Sequence, residues 1–288
     1  MQWRCGRFLL DLSEPAVMGI LNVTPDSFSD GGLYFGTESA IAQARQMQAQ
    51  GALIIDVGGE STRPGSDEVA EAEELRRVLP VVRQLADDGL IVSIDTRHAS
   101  VAEVCIQAGA AIVNDVSGFR DPAMRALVAG SDVGCIVMHM LGEPKSMQAD
   151  PHYDDVVREV GEYLLSQAGL LKAAGVARER IMIDPGPGFG KTFQHNLQLL
   201  LATAELAGLG YPLMAAFSRK RFVGDLTGIV RADERVTASV TVAVWAAAHG
   251  ANVVRVHDVE PTVQALATWR ALQSAEADWA AGSTSIDA

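Results

Sequence analysis

Arg255 and His257 stand one residue apart in a run otherwise made of valine, Val253-Val254-Arg255-Val256-His257. Alternate side chains of an extended strand share a face, so the cation and the imidazole point together while Val254 and Val256 point away. Burying a guanidinium among valines costs roughly several kcal/mol unless an anion or dipole answers it. Lys220, flanked by Arg219 and Arg221, supplies further positive charge. In a chain with 23 basic and 36 acidic residues, net −13, a convergent cationic patch reads as an anion pocket. Surface ion pairing is the competing account, and it suffices for Arg219 or Arg221 taken singly.

Asp95, Asn114 and Asp184 form the opposite set: two carboxylates and one amide that both donates and accepts. Buried acceptors need donors. A nitrogen heterocycle with adjacent N–H and NH2 groups offers two in parallel, as the guanidine-like edges of pterins and guanine do. The alternative is a carboxylate paired with Lys220 or Arg255 for stability alone. Two loops, Asn22–Gly32 and Gly58–Gly65, are rich in Gly, Pro and Ser and read as mobile lids, with Thr62 and Arg63 placed to hydrogen-bond a phosphate. Gly186-Pro187-Gly188-Phe189-Gly190 allows close backbone approach to a ligand, and Phe189 offers it an aromatic face.

Eight short apolar runs must position these groups: Val17–Leu21, Leu53–Ile55, Ile91–Ile94, Ala110–Val113, Cys135–Met138, Ile181–Ile183, Leu213–Phe217 and Val253–Val256. Nearly continuous runs of this kind suit parallel strands buried on both faces. Between them lie helical segments such as Glu38–Gln50, Glu68–Ala86, Asp154–Ala174 and Arg235–His249, with Gly51, Gly89, Gly109, Gly175 and Gly250 where helices should stop. Eight strand–helix units without a composition break predict an α/β chain closed as a (β/α)8 TIM barrel; an open doubly wound sheet is the competitor. The runs close on Asn22, Asp56, Asp95, Asn114, His139, Asp184, Ser218 and His257. Active sites of such barrels gather at the carboxyl ends of the strands. The expected organisation is a hairpin-like extension over 1–14, covering the barrel floor, one barrel over 15–273, and a flexible tail over 274–288.

The acidic balance disfavours nucleic acid and anionic membrane as partners, and the longest apolar run, Val242–Ala248, is too short to span a bilayer. Cys5, Cys105 and Cys135 are an odd number without CxxC spacing, which argues against a disulfide framework or zinc ribbon. Arg4 and Arg7 flank no sustained apolar stretch, so no secretory signal is read. A soluble, reduced, cytoplasmic protein is expected. Gly190-Lys191-Thr192 is no P-loop, because Pro185 stands where its first glycine should be, and Gly186-Pro187-Gly188 is followed by Lys191 where a dinucleotide fingerprint needs glycine. Neither GxSxG nor HExxH occurs, and Cys135 with His139 reads as structural rather than metal-binding.

Several stretches together resemble the dihydropteroate synthases, a pterin-binding family: Met18–Gly32, Asp56–Gly65, Ser93–Thr96, Asn114-Asp115, Met138–Met140, Asp184–Gly186, Ser218–Lys220 and Arg255–Asp258, in family order over about nine-tenths of the chain. The resemblance implies condensation of 6-hydroxymethyl-7,8-dihydropterin diphosphate with 4-aminobenzoate. It implies that Asp184, Asn114, Asp95 and Lys220 take the pterin. Asn22, Arg255 and His257 then take the diphosphate with Thr62 and Arg63, and Mg2+ is held at Asn22. Phe28, Pro64, Phe189 and Lys220 would border the aminobenzoate slot, its carboxylate near the helix start at Arg221. The chain departs from the pattern at Ala216, where glycine is expected, and Pro187 and Arg221 occupy variable positions. Residues 188–192 carry no inserted Phe-Gly, so sulfonamides should compete with aminobenzoate. The rivals are a methyltetrahydrofolate–corrinoid methyltransferase, which needs no diphosphate pocket, and a non-catalytic pterin-binding paralogue. Arg235–His249, apolar nearly all round, predicts a subunit contact and hence a homodimer.

Overall fold

The computed structural model describes residues 1–24, 32–60, 69–143 and 145–280. Phe28, Thr62, Arg63 and Pro64, together with most of both glycine-rich loops, lie outside the described residues. Ten strands and ten helices are described. A hairpin of β1 (Gln2–Cys5) and β2 (Phe8–Asp11) precedes eight parallel strands: β3 (Ala16–Asn22), β4 (Ile54–Gly58), β5 (Ile91–Asp95), β6 (Ile112–Asp115), β7 (Gly134–Met138), β8 (Ile181–Asp184), β9 (Met214–Ala215) and β10 (Val253–Val256). The spatial order is β8-β7-β6-β5-β4-β3-β10-β9, and a parallel bridge between Ile183 and Leu213 joins β8 back to β9. The sheet is thus a closed TIM barrel rather than an open, doubly wound one.

The intervening helices are α1 (Gly32–Ala49), α2 (Glu71–Asp87), α3 (Ala99–Gln107), α4 (Pro122–Ala129), α5 (Val156–Ala173), α6 (Phe193–Leu201), α7 (Thr203–Ala207), α8 (Arg221–Thr227), α9 (Val236–Ala248) and α10 (Val259–Ala280). Gly109, just past α3, takes φ +106°, the left-handed conformation that ends a helix and that side chains resist. Helix α10 continues through Ala280, past the expected start of the tail at Ser274, because Ala, Glu, Gln and Leu keep that stretch helical. Strand β9 is shorter than the run Leu213–Phe217. The chain turns after it, and Phe217 O already accepts from Lys220 N at 3.2 Å.

Parity within the strands builds the interior. Met18, Ile54, Ile112, Ile136, Met182, Met214 and Val253 form one buried apolar cluster with Trp3, Cys5, Leu10 and Leu12 of the hairpin segment. The hairpin therefore plugs the floor, and Trp3 Nε1 donates to Arg180 O at 3.0 Å. Two residues further along the same strands, the side chains on that face become Asp56, Asn114, Asp184 and Arg255. The alternate residues, including Val17, Leu21, Ile55, Val57, Val113, Ile183, Val254 and Val256, belong to the larger core between strands and helices. The three cysteines are free and buried, and no described helix is long and apolar enough to cross a membrane.

Candidate active site

The carboxyl ends of the barrel strands carry the polar groups, and an acidic network around one cation dominates them. Arg255, on β10, donates from Nε to Asp56 Oδ2 at 2.6 Å and from Nη2 to Asp95 Oδ2 at 2.7 Å. Asn114 Nδ2, at the end of β6, donates to the same Asp56 oxygen at 3.1 Å. Two carboxylates thus share one guanidinium. Burial pushes the Asp95 carboxyl up to about 7; Arg255 opposes this and Asp56 reinforces it. Burial also works against the Arg255 charge, but Asp56 and Asp95 more than offset it and hold its pKa above the ordinary value. The network leaves acceptors over: Asp56 Oδ1 and Asn114 Oδ1 are buried without a hydrogen-bond partner. Orphaned acceptors at an open mouth call for a donor-rich ligand.

Asp184 ends β8 in the same mouth, buried, and burial raises its carboxyl, with Lys220 and then Gly186 N–H partly offsetting that. Its Oδ1 accepts from Gly186 N at 2.8 Å, which fixes the side chain against the following turn. Gly186 has φ +61°, and a Cβ there would stand 2.0 Å from His139 O, so only glycine closes this turn. The rest of the turn is pinned from outside. Gly188 N donates to Asn196 Oδ1 at 2.7 Å, and Tyr153 Oη donates to Gly190 O at 2.9 Å.

Lys220 reaches across from the β9 side. Its ammonium donates to Pro187 O at 2.6 Å and lies 4.8 Å from the centre of the Phe189 ring, a cation–π distance. Burial lowers its pKa to about 8, although Asp184 pulls the other way. His257 packs against Ser218: the His257 N–H donates to Ser218 Oγ at 3.1 Å, and the same oxygen lies 3.1 Å from His257 Nδ1. The direction of the second bond follows the tautomer of the ring. In the tautomer that carries its proton on Nε2, Ser218 donates to Nδ1 and the ring offers an anion a donor. Next to this pair Arg219 is held at φ +57° by an ion pair with Asp258 and by donation of its N–H to Ser239 Oγ at 2.9 Å.

Asp95, Asn114, Asp184, Lys220, Arg255 and His257 therefore share the mouth, and Phe189 joins them through Lys220. Arg221 is the first residue of α8 and highly exposed, with Asp225 3.7 Å away, so it lies apart from the inner network. Ala216 is buried beyond β9. Sequence reasoning passed over Asp56 as a site residue, although it appears among the eight strand-closing groups; nothing in its type told which carboxylates Arg255 would seek. It also passed over Lys191, whose Nζ lies 2.8 Å from His139 Nδ1 and donates to Phe189 O at 3.0 Å. Burial pushes that ammonium well below its usual range, and burial with the nearby Lys191 lowers His139 to about 2.

Asn22 ends β3 half-buried, and its amide oxygen has no partner among the described residues. A lone hard oxygen fits Mg2+, which accepts few protein ligands and keeps waters and phosphate oxygens as the remainder.

The family described as pterin binding enzyme matches residues 18–257. A dihydropteroate synthase of Neisseria meningitidis serogroup C is 47% identical over 274 residues, covering 94% of this chain and 97% of that protein. The structure of Xanthomonas albilineans dihydropteroate synthase with 4-aminobenzoic acid superposes with a TM-score of 0.90 at 44% identity, covering 94% of this chain and 98% of the other. A Yersinia pestis dihydropteroate synthase in a sulfonamide drug complex gives 0.90 at 44% identity, with 95% and 100% covered.

Proposed function

Because this chain belongs to the pterin-binding enzymes and, among them, to the dihydropteroate synthases, we propose that its barrel mouth is divided between the two halves of one substrate. The activity is a transferase reaction of folate biosynthesis: 6-hydroxymethyl-7,8-dihydropterin diphosphate and 4-aminobenzoate give 7,8-dihydropteroate and diphosphate. The observation that carries the division is the pair of orphaned, buried acceptors, Asp56 Oδ1 and Asn114 Oδ1, beside the cation Arg255.

Asp184, Asn114 and Asp95 accept from the N–H and NH2 groups of the pterin, and Lys220 donates to its carbonyl side. Arg255 and His257, joined by Thr62 and Arg63, hold the diphosphate. Phe28, Pro64, Phe189 and Lys220 border the aminobenzoate, with its carboxylate near the start of α8 at Arg221. Mg2+ bound at Asn22 would neutralise charge on the diphosphate. The methylene C–O bond breaks first and its electron pair departs on the diphosphate oxygen. The electron-rich dihydropterin spreads the resulting positive charge. The amine nitrogen then bonds to the methylene carbon and loses a proton. No side chain serves as nucleophile, so the residues act by orienting the two reactants and by stabilising charge on the leaving group.

The competing corrinoid methyltransferase reading needs no diphosphate pocket, so Thr62, Arg63, Lys220, Arg255 and His257 argue against it. Binding of 4-aminobenzoate tests the proposal: the full-length protein should take it up tightly only when diphosphate and Mg2+ are present, and sulfonamides should displace it. Equally tight uptake by the empty protein contradicts the ordering. The apolar surface of α9, where Trp245 remains 44% exposed, supports a homodimer, and three buried free thiols fit a reducing cytoplasm.

A further inference from the structure

Outside the strand-end network, a second cluster joins the end of β4, the first turn of α2 and the start of α3. Glu74, on α2, is 0% exposed, yet both of its carboxylate oxygens lack a hydrogen-bond partner. His98 Nε2, at the N-cap of α3, is likewise buried and unpartnered. That nitrogen lies 3.9 Å from Glu74 Oε2 and 3.9 Å from Glu60 Oε2. One donor atom from each of the three residues can be chosen so that all lie within 4.8 Å of one another.

We infer that Glu60, Glu74 and His98 form a binding site for a transition-metal dication, with Zn2+ the best fit. Three separate features support it. Donors about 2.0–2.2 Å from a tetrahedral zinc stand about 3.3–3.6 Å apart, so closing the site takes side-chain shifts of up to roughly an ångström. One imidazole with two carboxylates is a zinc-type donor set and leaves a fourth position for water, whereas Mg2+ prefers oxygen alone. Finally, Glu71 Oε1 lies 3.5 Å from His98 Nδ1, and Ser100 Oγ donates to the other Glu71 oxygen. A carboxylate beside Nδ1 favours the tautomer with the ring proton there, which frees the Nε2 lone pair toward Glu60 and Glu74, as metal-binding histidines require.

The cation already present does not complete the cluster. Arg97 reaches both oxygens of Glu60 at 3.2 Å, and Val69 N–H donates to Glu60 Oε1 at 3.1 Å. Neither group reaches Glu74 within hydrogen-bond distance. A filled site would tie β4, α2 and α3 together beside the mouth.

Zn2+ alone, titrated into the chelator-treated full-length protein without diphosphate or Mg2+, tests the site. One ion per chain is expected, with a rise in thermal midpoint. His98→Ala and Glu74→Gln should weaken that uptake at least about 100-fold, and Glu71→Gln about 10- to 100-fold. His152→Ala, at an exposed histidine, should leave uptake unchanged. Co2+ in place of Zn2+ should give a visible absorption band that His98→Ala abolishes. Melting of the metal-free variants establishes that they fold, and His98→Ala, made at the rim of the cluster, decides the question if Glu74→Gln does not fold. No uptake by the parent protein, or equal uptake by His98→Ala, overturns the site.

Discussion

Arg255 holds Asp56 and Asp95 at once, Nε at 2.6 Å from one carboxylate and Nη2 at 2.7 Å from the other. The same guanidinium is thus a structural counter-ion and, in the proposed reaction, a cation for the leaving group.

Arg255→Met should therefore damage folding as well as turnover. Removing one partner of a buried ion pair costs about 3–5 kcal/mol, which urea unfolding should show. Adding Asp95→Asn should restore part of the loss, because one of the stranded charges disappears. Turnover should fall about 10²-fold or more, as when a charge-stabilising donor is removed. Full stability in the single variant contradicts the shared-cation reading.

Asp184→Asn separates binding from folding. The amide oxygen still accepts from Gly186 N–H, so the turn survives, but one hydrogen-bond acceptor for the pterin becomes a donor. Pterin affinity measured by calorimetry should weaken about 10²-fold, with the melting temperature little changed. Unaltered affinity removes Asp184 from the pterin edge.

Lys220 sets an alkaline limit. Its pKa is lowered from 10.5 to about 8 by burial, so the charge on its ammonium is lost above about pH 8. kcat/KM for the pterin diphosphate should fall there, and Lys220→Arg should move that fall to higher pH. Stability runs the other way. A depressed lysine contributes fully above pH 10.5, and that contribution is lost as pH falls toward about 8. A flat kcat/KM profile from pH 7 to 10 contradicts a role for the charge.

Trp3→Ala tests the floor. The ring is wholly buried in the interior cluster and its Nε1 donates to Arg180 O. The cost should be about 3–5 kcal/mol by chemical denaturation. Turnover per folded molecule should be preserved, because the chemistry lies at the opposite end of the strands.

Trp245→Glu addresses assembly. Sedimentation at micromolar concentration should give a dimeric mass for the parent and a monomeric one for the variant. A monomeric parent excludes the α9 contact.

Most of this architecture was legible because the barrel strands are nearly continuous apolar runs, each closed by a polar residue. The valine run around Arg255 announced both the strand and the odd polar face, and Asn114 and Asp184 fell on that face two residues above the apolar Ile112 and Met182, with Asp95 two above Ser93. Partner choice was not legible. Asp56 and Asp95 are chemically alike, and only the strand order β3-β4-β5 with β10 beside β3 puts both within reach of Arg255. Lys191 and His139 are 52 residues apart and meet only because β7 and β8 are neighbours. The Glu60–Glu74–His98 cluster was invisible for the same reason: its members lie on three elements and match no spacing motif.

The ring of strands has one poorly stitched joint. Between β8 and β9 the described pairing is a single bridge, and β9 itself is two residues long. Asp184 stands on one lip of that joint, and Ser218 and Lys220 follow from the other. A planar heterocycle gripped by Asp184 and Lys220 would act as a rivet across the seam. Its arrival should quench opening there more than anywhere else around the circumference.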